Sequence, residues 1–205
     1  PPEVGPVRFA ALFLPAGFVS GDIYDIVRLD ETTVGFYVAD AVGHGLPAAL
    51  LTMFIKKALQ TKRISGNTYE IIPPEIAMAG LNADICEQNL SGFHFCTAAY
   101  GVLETASLTL TYACAGHPEP VLLRAGGEAV ALGAPGGLLG VLPDEQYGSQ
   151  SVRLAAGDRL VLYSDGLEAA FRGDDGSRPD MPEALRAFAG ADRDEMLTDL
   201  AERIR

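Results

Sequence analysis

Tryptophan is absent from the 205 residues, and histidine and cysteine occur three times each. Cys86, Cys96 and Cys114 show no CxxC spacing, and an odd count in a chain of this length does not suit a disulfide framework. Cys96 and Cys114 sit among strand-like residues and read as small buried side chains. With no cysteine cluster beside His44, His94 or His117, a zinc site is disfavoured. Bases are also scarce, 15 against 27 acids for a net charge of −12, which argues against nucleic-acid binding through a basic surface. No apolar run approaches the roughly 20 residues needed to span a bilayer, and no signal-peptide pattern is present. No membrane contact is therefore expected, and the thiols fit a reducing cytoplasm. The GxxxxGK[ST] phosphate loop is missing, which disfavours a nucleotide kinase or ATPase. Ser20 and Ser164 lack the partner pattern of a nucleophilic triad.

What is present suits a globular domain: 48% hydrophobic and 20% charged residues can bury a real core. Residues 7–14, "VRFAALFL", read as a strand. Residues 23–29 and 33–38 read as two more, joined by the polar turn Asp30-Glu31-Thr32. Helical spacing begins at Leu46, with Pro47 in the first turn and Lys56 and Lys57 on a solvated face. Residues 65–73 read as a loop. Pro74 opens a second helix through about Leu90, with Met78, Leu81 and Ile85 on one face. Strand patterns then follow from Phe93 to the segment "RLVLYSDG", with Gly126-Gly127 as a hairpin signal. A last helical stretch starts near Pro182. Short connections and the lack of a βαβ rhythm predict an α+β fold, a single domain over 1–205 with helices on a largely antiparallel sheet or pair of sheets. The chain starts "PPEVG" without Met and stops within an apparent helix, which suggests a fragment of a longer protein.

Three segments place acids at strand ends: Ser20-Gly21-Asp22-Ile23-Tyr24-Asp25, Val38-Ala39-Asp40-Ala41-Val42-Gly43 and Tyr163-Ser164-Asp165-Gly166. Hard divalent cations take oxygen ligands, and strand ends hold carboxylates more rigidly than loops do. Glycines beside them would let backbone or water approach closely. An Asp-Gly pair after a strand is also a common turn, the reading given to Asp158 and to Asp174-Asp175-Gly176. Spacing alone leaves the turn and the metal reading open.

Taken in order, "SGDIYD", "VADAVGHG", "CTAAYG", "ACAGHPEPVLL", "GGLLGV" and "YSDGLEA" resemble the SpoIIE/RsbU-type bacterial protein phosphatases of the metal-dependent PPM (PP2C-like) superfamily. The likeness runs from about Val7 to Arg205. It implies a β-sandwich of two antiparallel sheets flanked by helix pairs, and hydrolysis of phosphoserine or phosphothreonine on a protein. The reaction would use a water activated by two Mn²⁺ or Mg²⁺ ions. By the resemblance Asp22 matches the acid of a GGDxxD motif, Asp40 the acid bridging both metals, Ala41 a backbone carbonyl ligand, and Asp165 the acid of a TDG motif. These three acids would be catalytic through the metal-activated water.

The resemblance has departures. Ser20 replaces a glycine, Ala41-Val42 the usual Val-Ser, and Ser164 a threonine. The resemblance also implies a further acid in a strand after the last helix; the sequence ends at Arg205, within that helix, which leaves a truncated strand and a weakened second metal both open, and Asp192 and Asp194 are poor stand-ins. Asp25 is open between a metal-site role and a surface strand residue. Glu168 reads as a solvated or capping acid, Arg8 as a weak candidate for phosphate binding, His44 as packing at the helix start and His117 as fixing a turn. The resemblance further implies an N-terminal sensor or receiver domain, a phosphorylated anti-sigma-factor antagonist as substrate, and regulation through a homodimer or through the helices at 46–61 and 74–90. Two rivals stay open: a catalytically inactive phosphatase-like binding module, and a metal hydrolase acting on nucleotides.

Overall fold

The computed structural model describes residues 4–15, 17, 19–88, 95–173 and 175–204. Two antiparallel sheets form its centre. The larger contains β1 (Asp22–Arg28), β2 (Thr33–Ala41), β5 (Cys96–Glu104), β6 (Thr109–Ala115) and β9 (Ser149–Arg153), in the order β1-β2-β5-β6-β9. The smaller has β7 (Val121–Leu123) between β10 (Arg159–Val161) and β8 (Ala129–Ala131). β3 (Lys62–Ser65) and β4 (Thr68–Ile71) form a separate hairpin. The helices are α1 (Leu46–Ala58), α2 (Pro74–Glu87), α3 (Asp165–Ala170), α4 (Met181–Arg186) and α5 (Arg193–Ile204).

Strand alternation divides the apolar residues into layers. On β2, Val34 and Phe36 face one side while Tyr37, Ala39 and Ala41 face the other. Val34 and Phe36 join Ala99, Leu103, Leu110, Tyr112 and Cys114 in a core shared with Leu122 of β7, so the two sheets pack face to face. The opposite face, with Ala98, Tyr100 and Ala113, is covered by α1 and α2 through Leu51, Ile55, Met78, Leu81 and Ile85. Val121 and Leu123 turn outward from the smaller sheet onto Leu167, Met181, Leu185, Met196 and Leu200 of α3, α4 and α5. The layers are helix, sheet, sheet, helix. The expected sandwich is present, but three short helices rather than a pair cover the smaller sheet.

Several sequence expectations change. Residues 7–14 form no strand beyond an isolated bridge between Val4 and Val7. Val7, Phe9 and Leu12 pack against the cores, with Phe9 against the Phe36 ring at 6.1 Å, so three of the apolar residues are sheltered without a ladder and without a strand's two-residue period. The presumed loop at 65–73 contains half of the β3–β4 hairpin, whose turn uses Gly66 at φ 61°. These strands are mostly exposed and short, which hides their period. The hairpin docks on the β1–β2 turn, where the Tyr69 hydroxyl meets Asp30 Oδ2 at 3.3 Å. Helix α2 ends at Glu87; Leu90, Phe93, His94 and Asp174 lie outside the described residues. The final helical stretch is two helices, and α3, missed by the periodicity, starts at Asp165 itself.

Asp158 is the turn residue expected, accepting from the backbone N–H groups of Ala125 and Ala155 and from Arg124 Nη1 at 2.7 Å. No helix among the described residues is long and apolar enough to cross a membrane.

Candidate active site

The antiparallel register of β1 and β2 sets Asp22 directly opposite Asp40. Directly opposed carboxylates on one sheet face are unfavourable partners without something between them. Asp165 joins them from the other sheet, at the first turn of α3 just beyond β10. Its charge raises the pKa of both Asp22 and Asp40. Three acids separated in sequence therefore meet at one end of the sandwich.

Electrostatics record the crowding. Burial, then the charges of Asp22 and Asp165, push Asp40 up from the ordinary 3.8 to about 6. Asp22 is raised first by burial and then by Asp165, while a hydrogen bond from the Ser164 side chain opposes the rise. The backbone N–H of Asp22 donates to Ser20 Oγ at 3.0 Å. The two serines that offered no triad partner thus both hold Asp22. Asp22 Oδ1 remains buried without a hydrogen-bond partner, a costly arrangement for a carboxylate oxygen.

Ala41 lies beside the acids, its N–H donating to the Gly21 carbonyl at 2.9 Å. A Cβ on Gly21 would sit 2.8 Å from the Ala41 carbonyl oxygen and 3.5 Å from Asp40 Oδ1. Gly21 is thus the glycine that makes room at the site. Gly43 and Gly45 act differently from what the sequence suggested. Added Cβ atoms there would meet nothing within 4 Å, but φ values of 91° and 73° require glycine for conformation as the chain turns from β2 into α1.

Other candidates separate from this cluster. Asp25 pairs with Tyr37 in register, on the face toward the helices, and binds Lys56 at 3.2 Å. It secures α1 on the face opposite Asp22. Glu168 is buried rather than solvated, paired with Arg178 at 3.2 Å. Arg8 is exposed and donates to the nearby carbonyls of Gly5 and Val7. Asp192 caps α5 by accepting from the Asp194 N–H at 2.8 Å, and Asp194 pairs with Arg193. His44 is exposed and does not pack at the helix start. His117 is buried, 6% exposed, with Nδ1 2.7 Å from Thr97 Oγ1.

The donor set suits a hard cation: converging carboxylates that repel each other, a partnerless buried oxygen, and a nearby backbone carbonyl. Among the described residues, no group of three or more His, Cys, Asp or Glu side chains is drawn tightly enough to form a finished metal shell. Like charges without a cation between them hold apart, so the two observations are compatible.

The acid pair also makes a pH prediction. The unfolded chain releases the Asp40 proton near 3.8, whereas the folded, metal-free chain keeps it until about 6. Stability from this group is therefore full below about 3.8 and is lost as pH rises to about 6. Acids with lowered pKa, including Asp158 and Asp192, work in the opposite sense. The melting-temperature difference between Asp40→Asn and the parent, both in chelator, is expected to grow across this window and level off above it. A difference flat with pH would refute the assignment.

Phosphoserine phosphatase RsbU of Bacillus subtilis (strain 168) is 30% identical over 202 residues, covering 97% of this chain and 58% of its own length. The crystal structure of the RsbU and RsbW domains of Rv1364c from Mycobacterium tuberculosis superposes with a TM-score of 0.72 at 25% identity, covering 92% of this chain and 51% of that one. The crystal structure of RsbX in complex with magnesium matches with a TM-score of 0.67 at 19% identity, covering 92% and 82%. That last likeness speaks to fold alone. The chain thus spans only about half the length of RsbU and of the Rv1364c structure, and its own fold is PP2C-like. A family profile, Stage II sporulation protein E (SpoIIE), matches residues 30–205, most of the chain, and the protein belongs to that family.

Proposed function

We propose that residues 1–205 form one catalytic domain that hydrolyses phosphoserine or phosphothreonine on a protein and depends on Mn²⁺ or Mg²⁺. The observation that carries this reading is the meeting of Asp22, Asp40 and Asp165, with Asp22 Oδ1 buried and partnerless. The resemblance implies metal dependence, and RsbX, similar in fold, has been solved with magnesium. Asp22, Asp40, Asp165 and the Ala41 carbonyl would hold two cations. Bound there, the metal supplies a water of lowered pKa and positive charge toward phosphate oxygens.

The chain's own residues prepare this site. Ser20 and Ser164 orient Asp22, the β1–β2 ladder fixes Asp22 against Asp40, and Gly21 leaves the Ala41 carbonyl uncovered. By the resemblance to SpoIIE/RsbU-type phosphatases, the substrate would be a phosphorylated anti-sigma-factor antagonist and the domain the output of a partner-switching pathway. An N-terminal sensor or receiver domain and a homodimer would regulate it. Free Cys86, Cys96 and Cys114 suit the cytoplasm.

Phosphate release from a phosphoserine protein is expected to require added Mn²⁺ and to stop with chelator, with nucleotides left intact. Nucleotide turnover without phosphoprotein turnover would favour a nucleotide hydrolase. A second reading, a phosphatase-like binding module, is favoured by the lack of a finished metal shell among the described residues. Calorimetry showing no Mn²⁺ binding, together with no turnover, would select it.

A further inference from the structure

His117 lies between both walls of the acidic site without being one of its acids. In register, Asp22 pairs with Asp40 and Asp40 with Thr97, so β1, β2 and β5 align three side chains across the end of the larger sheet. Alternation puts Asp40 and Thr97 on the face of Phe36 and Ala99, toward the smaller sheet. His117 Nδ1 meets Thr97 Oγ1 at 2.7 Å. The residue follows Gly116, whose φ of 60° turns the chain beside Ala98, and it leads into β7 of the smaller sheet.

The Tyr163 backbone also acts on the ring, although Nε2 makes no fully formed hydrogen bond. Tyr163 immediately precedes Ser164 and Asp165. One ring therefore contacts the neighbour of Asp40 on one sheet and the approach to Asp165 on the other.

The chemistry of the ring suits this placement. Burial pulls His117 down to about 4, with the Tyr163 backbone opposing, so the imidazole is neutral at physiological pH. A neutral imidazole offers one N–H and one lone pair. Whichever ring nitrogen carries the N–H, Nδ1 and the Thr97 hydroxyl can share one hydrogen bond, since a hydroxyl both donates and accepts.

We propose that His117 is a positioning residue: through Thr97 it fixes the β2–β5 end that carries Asp40 against the strand end that carries Asp165. This rests on the phosphatase reading, because it assigns His117 to the geometry of that site. A buried histidine that only fills space would lower stability when replaced, without acting through Thr97.

The experiment uses the parent chain, Thr97→Val, Thr97→Ser, His117→Leu and the Thr97→Val/His117→Leu pair. Calorimetry with Mn²⁺ alone gives affinity, and turnover of a phosphoserine protein separates kcat from KM. Thr97→Val and His117→Leu are each expected to weaken Mn²⁺ binding about tenfold or more, as loss of a group behind a metal ligand does. The double variant is expected to lose no more than either single one, since both remove the same link. Thr97→Ser, which keeps the hydroxyl, recovers most of the affinity. Thr97→Val is close in shape and decides the matter if His117→Leu does not fold. Parent-like Mn²⁺ affinity in Thr97→Val, or additive losses in the pair, would overturn the proposal alone. A parent chain that neither binds Mn²⁺ nor turns over substrate would remove the phosphatase reading and this proposal with it, and the parent arm by itself shows which has happened.

Discussion

Asp40→Asn is expected to reduce Mn²⁺-dependent phosphate release by about 1,000-fold, equivalent to about 4 kcal/mol of barrier, while the metal-free protein melts at a higher temperature. The two effects share one cause. Asp40 stands opposite Asp22 and near Asp165, and burial with these like charges drives its pKa to about 6. Asparagine keeps the shape and removes the repulsion, but it offers one neutral oxygen in place of the two charged oxygens of a carboxylate. The full rise from 3.8 to about 6 would be worth about 3 kcal/mol. Asp40 is only half-buried, and solvent screening reduces the gain to about 1 kcal/mol. Calorimetric Mn²⁺ titration, phosphate release and thermal melts in chelator check each part. A variant as active as its parent would remove Asp40 from the chemistry, and an active site at no cost to stability would contradict the electrostatics.

Gly21→Ala is expected to lose about 100-fold in activity, because misplacing a reacting geometry by about 1 Å has effects of that size. Added at Gly21, the methyl would lie 2.8 Å from the Ala41 carbonyl oxygen, 3.4 Å from Ala48 Cβ and 3.5 Å from Asp40 Oδ1. Something must move, and what moves is the part of the site offered as a backbone ligand. Overpacking of this kind costs about 1–3 kcal/mol of stability. Gly21 does not have a positive φ, so backbone strain adds nothing. Gly43→Ala makes the contrast: open space surrounds the added methyl, and its penalty comes only from the φ of 91°. Phosphate release together with a thermal melt of each variant separates the two mechanisms. Full activity in Gly21→Ala would show that the Ala41 carbonyl is not used.

The sequence makes one half of the site legible and hides the other. The polar turn at Asp30-Glu31-Thr32 between apolar runs places β1 beside β2, and from there Asp22 against Asp40 is a matter of counting residues. Asp165 could be joined to them only through resemblance, because no local pattern says which sheet end it reaches. His117 is harder still. Its partner Thr97 lies on β5, and Tyr163 lies past β10, so the contact exists only after both sheets have packed. The segment "VRFAALFL" misleads in the other direction: an apolar run promises a strand, yet Val7, Phe9 and Leu12 pack on the cores without ladder partners. Exposed strands of four residues, as in β3 and β4, leave too little period to read.

The uneven chain separation of the acids has a consequence for assembly. Asp22 and Asp40 meet through a short hairpin, a contact that closes early and locally, whereas Asp165 arrives only when the smaller sheet docks. Long-range closure of this kind is slow compared with hairpin formation. A partly folded chain would carry two opposed acids but not the third, and so could not complete the site. Completion of the acid cluster is thereby postponed until the two sheets pack, which ties it to tertiary assembly rather than to any local element.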